Sequence, residues 1–176
     1  MLRNTSTAYG NVAKFFHWLI FVLLLVMIIY GYFLEDIPKV YKGMAINAHK
    51  LLGITILFLV LLRLIWALIN PKPALPPDTK AWERALERLI HFSLYAAVIA
   101  MPLAGWVASA AGGHIPHIGD LYLNLPIEQN KALSESAFDL HKSLAIVIIV
   151  LFCIHVLAAL YHHFILKDNV LRRMMP

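Results

Sequence analysis

The chain has 176 residues, 61% of them hydrophobic and 14% charged, with a formal net charge of +5 and a mean hydropathy of +0.73. That apolar share is far above what a soluble domain carries, so the chain is expected in a membrane. The positive balance implies no nucleic-acid partner, because anionic lipid headgroups already match a basic belt at one membrane surface.

Four stretches reach the roughly 20 residues a helix needs to cross about 30 Å of hydrocarbon: Phe15 to Leu34, Met44 to Ile69, Leu89 to Ala111, and His141 to Leu166. None alternates as the strands of a membrane barrel do. The expected fold is an all-α integral membrane four-helix bundle, a single domain over residues 1–176. The first stretch follows Arg3 and Lys14, as the apolar core of a signal peptide would. It is too long for that role, and Glu35-Asp36-Ile37-Pro38 offers no small-residue cleavage site, so it is expected to stay.

Short cytoplasmic segments are enriched in Lys and Arg. One side of the expected bundle collects Arg3, Lys14, Lys72, Lys80, Arg84, Arg88, Lys167, Arg172 and Arg173, and the other Lys39, Lys42, Lys50, Lys131 and Lys142. Both termini are therefore expected to be cytoplasmic, on an inner face.

Between the second and third stretches, "NPKPALPPDTK" is proline-rich and reads as a stiff inner linker. In the next segment, "AWERALERLIH", Trp82, Ala85, Leu86 and Leu89 stand opposite Glu83, Arg84, Glu87 and Arg88, which predicts an interfacial turn of helix. Pro102 and Gly105 in "MPLAGW" read as a helix-packing feature. The outer loop from about Gly112 to Asp139 is expected to form irregular turns closed by a short helix around "ESAFDLH", large enough to lid something. Cys153, the single cysteine, reads as a small core residue.

Ionisable side chains inside a membrane span are costly and mark function. His141 and His155 lie on one helix, fourteen residues apart, which is roughly 21 Å along the axis and within about 40° in azimuth. His49 is level with His141 near the outer boundary, and His17 is level with His155 in the inner third. Two pairs at two depths are what two stacked haems with bis-histidine ligation require. Two histidines per level leave a tetrahedral zinc site short of ligands.

Gly53, one turn beyond His49, leaves room for a flat group against the helix. Arg63 lies fourteen residues after His49 and reaches the inner level, either to pair with a haem propionate or to snorkel to the surface. Lys50 and Lys142 adjoin the outer pair, where they neutralise propionates, attract a small anion or simply snorkel. His91 is the rival of His17 at the inner level, and His17 is preferred because its "FHWL" context already lies within the apolar run. His162 shares the face of His155 nearer the surface, as a proton donor to a quinone or as an anchor. His163 is too far from His155 to ligate the same iron, and His114 and His117 read as surface loop residues.

The ordered set "FHWLIF", "AHKLLGI", the arginine of "VLLRLIW" followed by "NPKP", "HFSLYAAVIAMPLAGW" and "HVLAALYHHFILKDNVLRRMMP" resembles the bacterial cytochrome b561 family over essentially the full length. The ending "HH(F)xxKDNxLxRM" is its most specific part. The resemblance implies a di-haem inner-membrane cytochrome b that passes electrons from a small reductant to the quinone pool, ubiquinone among them. Carried over residue by residue, it places the iron ligands on His17 and His155 for the inner haem and on His49 and His141 for the outer one. Some members are implicated in oxidising superoxide at the outer face, a donor compatible with Lys50 and Lys142. With both axial positions filled, outer-sphere electron transfer is expected.

The expected partners are membrane lipid, a quinone and a small anionic or protein electron donor, and a homodimer is compatible. One rival reading is a haem-bearing anchor that serves a separate dehydrogenase or hydrogenase. Another is a histidine-lined metal transporter, against which the lack of intramembrane carboxylates counts.

Overall fold

The computed structural model describes residues 1–76 and 79–175. Pro77 and Asp78 of the expected linker and the terminal Pro176 lie outside the described residues. Four helices carry the fold: α1 (Asn11–Tyr32), α2 (Lys39–Leu68), α3 (Ala81–Ala111) and α4 (Lys131–Phe164). Each is long and apolar enough to cross a membrane.

Each helix begins before its expected apolar stretch, while α1, α2 and α4 stop one or two residues short of its end, and the early starts have a simple reason. A helix continues until its backbone groups find other partners, whereas apolar composition changes at the membrane surface. The 34 residues of α4 correspond to about 51 Å, well beyond the roughly 30 Å of hydrocarbon. "ESAFDLH" is therefore the beginning of α4 rather than a separate helix, and Asn130 caps it by accepting the Leu133 N–H at 3.0 Å. "AWERALERLIH" is likewise continuous with α3, started by the Glu83 carboxylate accepting the Lys80 N–H at 2.9 Å.

Both chain ends and the α2–α3 connection meet on one face, here called the termini face. Ala74 N–H donates to Ser6 O at 2.8 Å, Asn4 Nδ2 to Pro71 O at 3.0 Å, and Trp18 Nε1 to Met174 O at 2.8 Å. Gly10 permits the N-terminal fold-back, because a Cβ there would collide with the Leu2 and Arg3 backbone.

The opposite, loop face carries the α1–α2 turn and the α3–α4 connection. The expected irregular turns contain a small hairpin, β1 (His117–Ile118) antiparallel to β2 (Leu121–Tyr122), with Gly119 at φ 57 in its turn.

α3 packs closely on α4, and α2 on α1 and α3; among the described residues no comparable backbone approach joins α4 to α1 or α2. α3 buries Ala97, Ala104, Ala108 and Ala111, and in its seam with α4 Ala108 O accepts a hydrogen bond from Ser134 Oγ at 2.8 Å. Such small side chains let helix backbones approach where the hydrophobic effect gives no drive for association. At mid-depth Ile20, Leu24 and Met27 of α1, Ile56 and Val60 of α2, Ala97 and Val98 of α3 and Ile148 of α4 form one apolar layer. Cys153 is exposed on α4, so it faces lipid and not the core.

Replacing Ala108 by Leu is expected to destabilise the bundle by about 1–3 kcal/mol through overpacking of the seam. A lowered thermal midpoint in detergent, absent for Ile146→Leu on the lipid face, is the check.

Candidate functional site

The four span histidines expected to pair do so. On the termini side of the apolar layer the rings of His17 (α1) and His155 (α4) have centres 6.2 Å apart. On the loop side His49 (α2) and His141 (α4) stand 6.1 Å apart. The two contacts bridge α4 to α1 and to α2, where the backbones themselves stay apart.

Each level has its own supports. His141 Nδ1 donates to Met101 O of α3 at 2.8 Å, and Phe138 lies parallel to its ring with centres 6.5 Å apart. His49 packs near Tyr30, whose hydroxyl donates to Ala45 O at 2.9 Å. Gly31 faces His49, and a Cβ there would stand 3.2 Å from Cε1. Gly53 is less crowded, since an added Cβ would meet only Met27 Cε at 3.8 Å.

His91 comes closer to His155 than His17 does, at 5.2 Å between ring centres. Its Nδ1 lies 2.7 Å from Glu87 O and 3.0 Å from Glu87 Oε1, and Glu87 also pairs with Lys72 at 2.7 Å. The sequence reading found no carboxylate at this depth. Glu87 supplies one beside the inner level, and its signal was available in the four-residue spacing to His91.

Arg63 stands over the Tyr95 ring, 5.5 Å from its centre. Nearby, burial first and Glu87 second raise the Tyr9 phenol above its usual range.

His162 Nδ1 donates to Asp168 Oδ2 at 2.6 Å. Lys167, in a left-handed conformation at φ 54, turns the chain so that Asp168 faces back along α4. The other Asp168 oxygen accepts Val170 N–H at 2.9 Å. Asp168 lay six residues beyond His162, and no helical spacing links them.

On the loop face both expected cations are engaged by the protein. Lys50 Nζ donates to His114 O at 2.6 Å, while Lys142 pairs with Asp139 at 2.8 Å and lies 4.9 Å from the Phe138 ring centre. Asn47 and His117 exchange two hydrogen bonds, of 2.8 and 3.0 Å, and Trp106 Nε1 donates to Leu123 O at 2.8 Å. His114 and His117 are thus loop residues that serve through their backbones. The loop is fastened to residues flanking His49.

A family model described as prokaryotic cytochrome b561 matches residues 8–176. The chain belongs to that family. It is 31% identical over 176 residues to cytochrome b561 homolog 2 of Escherichia coli (strain K12), covering 98% of this chain and 93% of the relative. To the probable superoxide oxidase CybB of Yersinia pestis it is 33% identical over 162 residues, 91% of each chain. Cytochrome b561 homolog 1 of Escherichia coli (strain K12) is 31% identical over 130 residues, 74% of each. Cytochromes b561 are b-haem electron-transfer proteins of the membrane, and this multi-pass chain is accordingly an inner-membrane haem protein of oxidoreductase type.

The residues present fit that group. Two imidazoles flanking one metal at nitrogen–metal distances of about 2 Å have ring centres roughly 6 Å apart, as both pairs do. The His91–His155 separation falls short of it. His17 Nδ1 and His49 Nδ1 are buried without a protein partner.

Asn47→Ala is expected to loosen the loop from α2. Two lost hydrogen bonds of about 1 kcal/mol each should speed amide exchange at His117 and Tyr122 by roughly tenfold or more, with the helix centres unchanged.

Proposed function

We propose that this cytochrome b561 family member holds two b-type haems, one between His17 and His155 and one between His49 and His141. It takes electrons from a donor at the loop face and delivers them to a quinone at the termini face. The observation that carries the reading is the pairing of four imidazoles from three helices at two depths, with an apolar layer between. When bound, each haem supplies a one-electron iron couple with both axial positions filled.

The chain's own residues divide the remaining work. The apolar layer excludes water between the levels. Arg63 lies at the inner level as the cationic partner of a propionate, and Lys50, one residue beyond His49, serves the outer level. Lys142 shares its charge with Asp139 and contributes less.

Superoxide suits the donor side, because it is an anion that gives up one electron to become dioxygen. The name of the Yersinia pestis relative is in keeping with that choice. Two such oxidations match the two electrons that a quinone needs, together with two protons, to become a quinol.

For the acceptor side, His162 is the proton-carrying group. Its Nδ1–H is committed to Asp168, so Nε2 is the atom that exchanges a proton with a quinone oxygen. Trp66 Nε1, Asn70 Oδ1 and His163 Nδ1 are also buried without protein partners near this end, which supports a polar ligand there. The excess of Lys and Arg on the termini face supports placing both termini in the cytoplasm.

The primary test is a pyridine haemochrome count on purified protein. Wild type is expected to hold two b haems, and His49→Ala and His155→Ala one each; an unchanged count in either variant sinks the assignment. His162→Ala and Asp168→Asn should keep both haems while slowing quinone reduction by about 10²-fold and 10-fold respectively. Wild-type quinone kinetics in both variants would move the quinone site elsewhere.

A further inference from the structure

α3 carries no ligand in the assignment above, yet it makes the most specific contacts to one of the ligating rings. Met101 O can only accept a hydrogen bond, so its 2.8 Å contact with His141 Nδ1 fixes the proton on Nδ1 and leaves the Nε2 lone pair free. One turn further along α3, Gly105 opens the space that the ring occupies. A Cβ added there would stand 2.8 Å from Nδ1 and 3.0 Å from Cε1 of His141, closer than a side chain tolerates without displacement. Phe138, parallel to the ring within 7°, stands beside it as well. The ring is thus held by a carbonyl, a bare stretch of helix backbone and an aromatic face.

His49 is supported differently. Its Nδ1 has no protein partner, and Gly31 leaves more room, an added Cβ meeting Cε1 at 3.2 Å and Nδ1 at 3.8 Å.

We infer that Met101 and Gly105 form a built cradle that sets the tautomer and ring plane of His141, making Gly105 a positioning residue for the loop-face haem. This rests on the ligand assignment proposed above. A backbone acceptor behind a ligating imidazole orients the ring and raises its basicity, and disturbing such a partner typically lowers metal affinity by about 10–100-fold. The helix-packing reading of Pro102 and Gly105 in "MPLAGW" accounts for a close approach of helices, but it gives no reason for an imidazole nitrogen to lie where the Gly105 side chain would be.

A double-mutant cycle tests the inference with His141→Ala, Gly105→Ala and the two combined. Gly43→Ala, where an added Cβ meets nothing within 4 Å, serves as the control for a glycine change alone. Haem per chain and the thermal midpoint of the helical circular dichroism signal are both read on purified protein. Gly105→Ala is expected to bind the loop-face haem at least about tenfold more weakly, to retain the other haem, and to cost no further thermal stability once His141 is Ala. Equal losses of thermal midpoint in both backgrounds, or two haems at wild-type stability, would overturn the cradle. Retention of both haems in His141→Ala would instead overturn the ligand assignment, while coupling of the thermal midpoints still reads the Gly105–His141 contact independently.

Discussion

Imidazole nitrogens inside hydrocarbon must find partners, and the rest of this bundle is arranged around that requirement. A buried polar group without a hydrogen bond or a ligand is expensive in a low-dielectric medium, so four span histidines have to turn inward, away from lipid. Once they do, α4 meets α1 and α2 through paired rings, while close backbone packing is left to α3 against α4. The imidazoles thus bridge the space that α4 leaves toward α1 and α2. The apolar layer through Met27, Val60 and Ile148 then separates two levels that one helix connects.

The two faces of the bundle solve different problems. The termini face carries polar groupings: Glu87 of α3 with His91 and with Lys72 of the α2–α3 connection, Arg63 of α2 over Tyr95 of α3, and His162 of α4 with Asp168 of the tail. At the loop face, side chains of α2 fasten the backbone of the α3–α4 connection, Lys50 to His114 and Asn47 to His117, beside surface ion pairs such as Lys142–Asp139. These fastenings tie the α3–α4 loop to the helix of His49.

Much of the site was legible because membrane helices obey simple arithmetic. A rise of about 1.5 Å per residue converts sequence position into depth, and the positions of His17, His49, His141 and His155 sufficed to sort them into levels. The family resemblance pointed to the same four residues. What resisted reading was contact between elements. Asp168 reaches His162 only because Lys167 takes a left-handed turn. Glu87 had a readable spacing to His91, but its nearness to the inner level depends on how α3 leans on α4. Cys153 was read as core and faces lipid, because an apolar run in a membrane does not reveal which side of the helix is covered.

By itself the sequence determined that the chain spans the membrane four times, that one face carries more of its cations than the other and that four span histidines lie at two depths, since length, hydropathy and depth are properties of single helices. The tertiary structure alone decided that His91 and Glu87 stand beside the inner pair, that "MPLAGW" cradles His141 as well as packing α4, and that the α3–α4 loop is bolted to the helix of His49. Azimuth and helix pairing follow from side chains meeting across elements distant in sequence, and no period within one segment encodes them.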